Sequence, residues 1–184
     1  MTFDISKSLL DLIDFIIDKV KFILKNQNFR DDIIESVIRL KESKNYLFPI
    51  LYERINCLND IKDTNDFKTF LVNFKRLNNI IKSNKLLDIS NVKLNIHLFE
   101  SSEEEEIYDK SKNLDINLKK YLTDLEHQGI ILKEIINLHH IIHSFFEKII
   151  VNHENNKIKV NRIKLLTELT ERLLKFCNFH YIDN

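Results

Sequence analysis

The stretch FFEKIIVNHENNKIKVNRIKLL, from Phe145 to Leu166, decides the fold. Leading into it, apolar residues recur every three or four positions over residues 130–151, in two adjacent rows. This period predicts a helix with little polar face, which should be central and the most buried in the molecule. The polar segment 152–156 interrupts the pattern, so the helix should end there.

A second helix should begin near Lys157 and end near Cys177, with one apolar face. Its first two turns hold four cations, Lys157, Lys159, Arg162 and Lys164. The dipole of a helix favours anions at its start, so this arrangement opposes the dipole. We interpret it as a positive end that an anionic partner can use.

The rest of the chain shows the same helical period. We expect helices at residues 6–25 and 31–41, one with Pro49 in its first turn, one capped by Thr64, and one over residues 103–126 that opens with a capping box of Ser102 and Glu105. In the first of these, the apolar face holds Leu9, Ile13, Ile16, Val20 and Ile23.

Helices should account for almost the whole fold. The chain of 184 residues has one glycine and one proline, which leaves little turn chemistry for a sheet of many strands. Only residues 91–99 could hold a short strand. The sequence therefore predicts an all-α fold, a single domain over residues 1–184 built as one bundle of about six or seven helices.

Charge is balanced overall but uneven along the chain. There are 28 basic and 28 acidic residues, yet residues 67–87 hold five basic residues and no acid, and residues 148–164 hold five basic residues and one acid. Two such strips can bind phosphates locally. The alternative is that they are ordinary solvated helix faces.

Three histidines, His139, His140 and His143, lie close together in sequence. His139 and His143 are one helical turn apart and could share a metal ion, as in a metalloenzyme. No third ligand is evident, so we expect a packing or surface role and no bound metal. Cys57 and Cys177 lack metal-type spacing and indicate free thiols in a reducing compartment.

Three segments resemble the C-terminal, anticodon-binding-like region of the bacterial glycyl-tRNA synthetase β subunit. The first is the Ile158–Leu166 run IKVNRIKLL, where the family has a basic residue, any residue, Asn-Arg-Leu and Leu-Leu. The second is FLVNFKRLNNIIK, from Phe70 to Lys82, and the third and weakest is EEEIY, from Glu104 to Tyr108. Their order and spacing fit most of the chain, although that subunit is several times longer.

The resemblance implies a fold similar to the anticodon-binding helical domains of class I-type synthetases. It also implies a role in binding the anticodon stem and loop of glycine tRNA. The expected RNA-binding residues are Lys75, Arg76, Asn79, Lys82, Lys157, Lys159, Asn161 and Arg162. Arg76, Asn79, Asn161 and Arg162 have an alternative role, since Arg and Asn often bond helix ends in packed bundles.

The whole enzyme that the resemblance implies is a glycine–tRNA ligase of two α and two β subunits, which uses ATP and Mg²⁺. This chain alone is expected to catalyse nothing and to hold no cofactor. No uncharged run of about 18 residues is present, so we expect no membrane span and a cytoplasmic location. The rival interpretation is a helical protein–protein interaction module that binds no RNA.

Overall fold

The computed structural model describes residues 5–40, 48–87 and 89–183, with side chains from residue 11 onward. All regular structure in these ranges is helical, which confirms the all-α prediction. The α-helices described are α1 (Ile5–Asn26), α2 (Asp31–Ile38), α3 (Phe48–Ile61), α4 (Asn65–Ser83), α5 (Ser102–Tyr121), α6 (Gln128–Asn137), α7 (His139–Lys148) and α8 (Asn156–Leu173), with short 3₁₀ helices at Ile96–Leu98, Leu125–His127 and Phe179–Tyr181. None of these helices is long and apolar enough to cross a membrane.

Side-chain caps fix several helix starts. Thr64 accepts a hydrogen bond from the Phe67 amide at the start of α4, as predicted. At α5 the cap is Ser101, which accepts from the Glu104 amide, so the predicted box of Ser102 and Glu105 is wrong by one residue. The reason is the Glu104 side chain, which is fully buried and accepts a hydrogen bond from the Glu100 amide.

The predicted central helix is interrupted at Leu138, which separates α6 from α7. The Leu138 amide bonds the Ile135 carbonyl three residues back, which tightens the turn there. Two carbonyls beside the break form hydrogen bonds with side chains. His139 Nδ1 bonds the Ile136 carbonyl, and Asn73 Nδ2 donates to the His139 carbonyl. If α6 and α7 are counted as one interrupted helix, the described ranges hold seven α-helices, which agrees with the predicted bundle of about six or seven.

The core is shared more evenly than the sequence indicated. Half of the residues of α6, of α7 and of α8 are buried, and α2 buries five of its eight, so the prediction that residues 130–151 are the most buried is wrong. Helix α8 packs against both α4 and α5, which accounts for its burial. Buried side chains from Leu24 to Ile182 form one cluster.

A buried arginine ties α3 to the two ends of the α5–α6 connection. Arg54 is fully buried and donates to the Gln128 side chain and to the carbonyls of Leu122 and Phe176. Gln128 in turn donates to carbonyls at the end of α5 and beyond it. These bonds explain why α5 ends at Tyr121 rather than at the predicted residue 126, because the following carbonyls bond the Arg54 and Gln128 side chains.

Helix α1 is rotated relative to the prediction. Leu24 is buried and Ile13, Ile17 and Val20 are partly buried on the side that faces the bundle. Ile16 and Ile23, expected on the same face as Ile13 and Val20, are 50% and 54% exposed. The Leu9 side chain lies outside the described residues, as does Lys41, the predicted end of α2.

An aromatic cluster holds the chain end against α4. The Phe179 ring lies 5.0 Å from the Phe70 ring and 5.5 Å from the Phe74 ring, and all three side chains are buried. We expect Phe70→Ala to lower the free energy of unfolding by about 3–5 kcal/mol, because a large buried ring is lost and a cavity remains. Urea unfolding followed by circular dichroism measures this.

The control is Val72→Ala on the same helix, where the side chain is 56% exposed. Its effect should stay within about 0.5 kcal/mol. An equal decrease in the free energy of unfolding for the two variants would contradict this account of the core.

Candidate nucleic-acid interface

Arg162, in the first half of α8, is buried among carboxylates. Its Nε donates to Glu104 Oε1 at 2.9 Å, and one terminal nitrogen donates to Glu100 Oε2 at 2.9 Å. The other terminal nitrogen donates to the Ile150 carbonyl at 3.0 Å. The side chains of Arg162 and Glu104 are only 4% and 0% exposed. This geometry supports the packing alternative, so we leave Arg162 out of the face proposed below.

Asn161 is also engaged within the protein. Its Nδ2 donates to the Asn95 carbonyl at 3.0 Å, and its Oδ1 accepts from the Asn95 amide at 2.8 Å. Only 2% of the residue is exposed. The pair fixes the connector before α5 onto the start of α8, which again supports the packing alternative.

Among the lysines of α8 and of the end of α7, two lie near carboxylates of the described residues and two do not. Lys148 pairs with Glu103 and Lys164 lies 3.8 Å from Glu168. The hydrogen bond from Lys148 holds the pKa of Glu103 below its ordinary value, so that carboxyl is ionised at neutral pH. Within the described residues, the exposed Lys157 and the partly buried Lys159 have no carboxylate partner.

Helix α4 presents the clearest positive surface. Residues three or four apart share a helix face, and one such face is wholly exposed. No carboxylate in the described part of the chain pairs with its lysines. We call this surface the α4 basic face and define it as Lys68, Lys75, Arg76, Asn79 and Lys82.

Arg76 stands between the two roles. One terminal nitrogen donates to the Phe146 carbonyl at 3.2 Å, the other lies 3.5 Å from Glu147, and the guanidinium lies over the Phe146 ring. The side chain nevertheless remains 46% exposed. Arg76 therefore secures the end of α7 and keeps part of its guanidinium accessible.

The two basic strips meet at the end of α7. Arg76 of α4 binds the Phe146 carbonyl, and Arg162 of α8 binds the Ile150 carbonyl, four residues further on. Lys75 is next to Arg76 in sequence, and Lys157 lies in the first turn of the helix that holds Arg162. The structure thus brings both predicted segments to one end of α7, although it buries the Asn-Arg pair of the second.

The chain end adjoins the other end of the α4 basic face. The His180 ring lies 5.1 Å from the Phe74 ring of α4, and partial burial and the charge of Lys82 lower the pKa of His180 below its ordinary value. Tyr181 is 40% exposed, with the Arg39 guanidinium over its ring. Phe176 and Phe179 are buried, so Tyr181 is the phenylalanine or tyrosine of this described segment that solvent reaches.

Sequence reasoning gave Lys68 no specific role and left open whether Phe179 or Tyr181 stacks on an unpaired base. Lys68 lies seven residues before Lys75, two helical turns away, so the helical spacing alone could have identified it. Nothing in the sequence distinguishes the exposed Tyr181 from the buried Phe179, because that difference depends on how the chain end packs on α4.

The three histidines differ in burial, although the rings of His139 and His140 lie 3.8 Å apart. His139 is buried and bonds the Ile136 carbonyl at 2.8 Å, whereas His140 and His143 are exposed. In the ranges that the structure describes, no three His, Cys, Asp or Glu side chains are arranged to hold a metal ion. Cys57 and Cys177 are free thiols, and burial, with a hydrogen bond to Glu53, raises the pKa of Cys57 to about 12.

A family model for the DALR anticodon binding domain matches residues 70–178, from within α4 to the residue before the last 3₁₀ helix. The chain belongs to this family. The match includes the α4 basic face from Lys75 to Lys82, without Lys68, and the buried Glu104–Arg162 pair, while α1, α2 and α3 precede it.

The chain is also similar to curated glycine–tRNA ligase β subunits, as the three segments quoted above predicted. It is 27% identical over 172 residues to that of Buchnera aphidicola subsp. Schizaphis graminum, covering 93% of this chain and 23% of the relative. The Sulfurihydrogenibium subunit is 27% identical over 168 residues, covering 91% and 24%, and the Lactobacillus acidophilus subunit 30% over 166 residues, covering 89% and 22%. The chain thus spans about a quarter of the length of the curated relatives it matches.

The Glu104–Arg162 pair gives a direct test of the packing role. Arg162→Met leaves a carboxylate buried without its cation, so we expect the free energy of unfolding to fall by about 3–5 kcal/mol. Lys157→Ala, in the exposed first turn of the same helix, should change it by less than about 0.5 kcal/mol. Chemical unfolding of both variants measures this, and an unchanged stability of Arg162→Met would show that the pair does not organise the fold.

Proposed function

We propose that this chain binds the anticodon stem and loop of a tRNA through the α4 basic face, with Lys157 and Lys159 extending the contact. Membership of the DALR anticodon binding domain family carries the proposal. The exposed lysines of the α4 basic face, which have no carboxylate partner among the residues that the structure describes, give the proposal a physical basis, because cations held away from acids attract phosphates most strongly.

The roles of the side chains follow from their chemistry. Lys68, Lys75 and Lys82 are point charges suited to phosphates, and the accessible part of Arg76 adds planar donors. Asn79 lies between Lys75 and Lys82 on the same face and can both donate to and accept from a base edge or a sugar. Tyr181 follows His180, the residue whose pKa the charge of Lys82 lowers. Its exposed ring is one on which an unpaired base can stack.

The finer proposal is that the tRNA is glycine tRNA and that the chain works within a glycine–tRNA ligase. The names of the relatives support this assignment. The full assembly is then a tetramer of two α and two β subunits in the cytoplasm, which activates glycine with ATP and Mg²⁺. One glycine in the whole sequence leaves no glycine-rich loop to cradle a nucleotide phosphate, so the chemistry is assigned to the rest of the enzyme.

Salt dependence tests the phosphate contacts. We expect the affinity of the chain for a glycine tRNA anticodon stem-loop to fall steeply with salt, and Lys75→Ala and Lys82→Ala each to flatten the log–log slope by about one unit. Fluorescence anisotropy between low and moderate salt measures the slope. The matched control is Lys112→Ala, an exposed lysine on α5, which should leave the slope unchanged.

Slopes that are equal for all three variants and the wild type would place the RNA elsewhere. Absence of any RNA binding by the wild-type chain would instead favour the protein–protein interaction module.

Asn79→Ala tests whether the face reads bases. If Asn79 contacts a base, the variant should lose about 1–3 kcal/mol of discrimination between glycine tRNA and other tRNAs, with little change in the salt slope. Competition binding with a non-cognate tRNA measures the discrimination. A uniform loss of affinity for all tRNAs would show that Asn79 contacts the sugar–phosphate backbone of the RNA and not a base.

A further inference from the structure

Helix α1 carries a second apolar face that the described part of the bundle leaves exposed. The helix packs mainly on α2, through its inner side. Its outer side holds large apolar side chains that are 50% to 63% exposed. They are Leu12 (53%), Phe15 (58%), Ile16 (50%), Phe22 (63%) and Ile23 (54%), and we call them the α1 outer face.

These side chains form one stripe and not a scatter of single residues. Their spacing of three, four and seven residues places them along one side of the helix over about three turns. The charged residue within the stripe is Lys19, and its amine lies 5.3 Å from the centre of the Phe15 ring. Single exposed apolar residues are normal on a protein surface, but a contiguous apolar stripe marks an interaction site.

The charges beside the stripe indicate the chemistry of the partner. Asp11 and Asp18 are exposed on α1 next to the stripe. Helices that lie on anionic lipid surfaces have basic flanks, so this acidic flank favours a protein. The complementary surface is an apolar groove with a basic rim.

The relatives indicate which protein supplies that surface. The Buchnera aphidicola match covers 93% of this chain, so most of α1 lies within the shared stretch, yet that stretch is only 23% of the relative. In the relatives a counterpart of α1 therefore exists within a polypeptide about four times as long. A folded body is thus available to cover its outer side.

We propose that the α1 outer face docks this domain onto the body of a glycine–tRNA ligase β subunit. The body is defined here as the part of the relatives' length, about three-quarters, that this chain does not match. The proposal rests on the function proposed above. It assigns the two sides of the molecule to different partners, with α1 for the body and the α4 basic face for RNA.

The test uses the full chain and the body polypeptide encoded in the same genome. Phe15→Asp and Phe22→Asp place a charge in the stripe, and because both side chains are exposed the fold should survive, as circular dichroism melting will verify. Ile116→Asp is the matched control, since it introduces the same charge at a 59% exposed apolar residue on α5. Sedimentation velocity of each chain, alone and mixed with the body, gives the readout, and binding of the anticodon stem-loop is measured in parallel.

We expect the wild-type chain to sediment as a monomer alone and as a one-to-one complex with the body. Phe15→Asp and Phe22→Asp should each weaken that complex at least tenfold and leave stem-loop binding unchanged, whereas Ile116→Asp should alter neither. A wild-type chain that binds the body but not the stem-loop would count against the RNA role alone.

Several results would overturn the docking proposal. These are a genome that encodes no such body, a body that does not bind the wild-type chain, and a body complex that tolerates both α1 variants. A wild-type dimer that Phe15→Asp disperses would assign the stripe to a second copy of the chain. Binding to zwitterionic lipid vesicles that Phe22→Asp abolishes would assign it to a membrane surface.

Discussion

The buried ion pair between Arg162 and Glu104 is the interaction on which the rest of the structure depends. It joins α8 to α5, and the same guanidinium also holds Glu100 and the Ile150 carbonyl at the end of α7. Two charges removed from water are costly unless their hydrogen-bonding groups are satisfied, which the fork geometry of arginine achieves here. The pair therefore fixes one arrangement of three helices, since a different register would leave a charge buried alone.

This constraint divides the polar residues of the family motifs into two groups. Asn161 and Arg162 lie inside and bond protein groups, whereas Lys75, Asn79 and Lys82 lie outside on the α4 basic face. Arginine and asparagine offer several directional donors, which suits them to bonding carbonyls and carboxylates between helices. Lysine carries a compact, strongly hydrated charge and stays in water unless it is paired.

The helices and the family were predictable because their signals are local. The Thr64 cap and the apolar period of α4 and α8 depend on residues within one or two turns. The break at Leu138 was not predictable, because the Asn73 side chain that bonds the His139 carbonyl is 66 residues away. The burial of Arg162 likewise depends on Glu104, 58 residues away, and the rotation of α1 depends on the partner against which its inner side packs.

The most direct measurement of the central claim is lysine footprinting of the chain with and without the glycine tRNA anticodon stem-loop. Acetylation of each lysine is read by mass spectrometry at matched reagent and salt. The account predicts that RNA protects Lys68, Lys75 and Lys82 strongly and leaves Lys112 on α5 unchanged. Protection that is uniform over the chain, or that favours Lys112 over the α4 lysines, would contradict it.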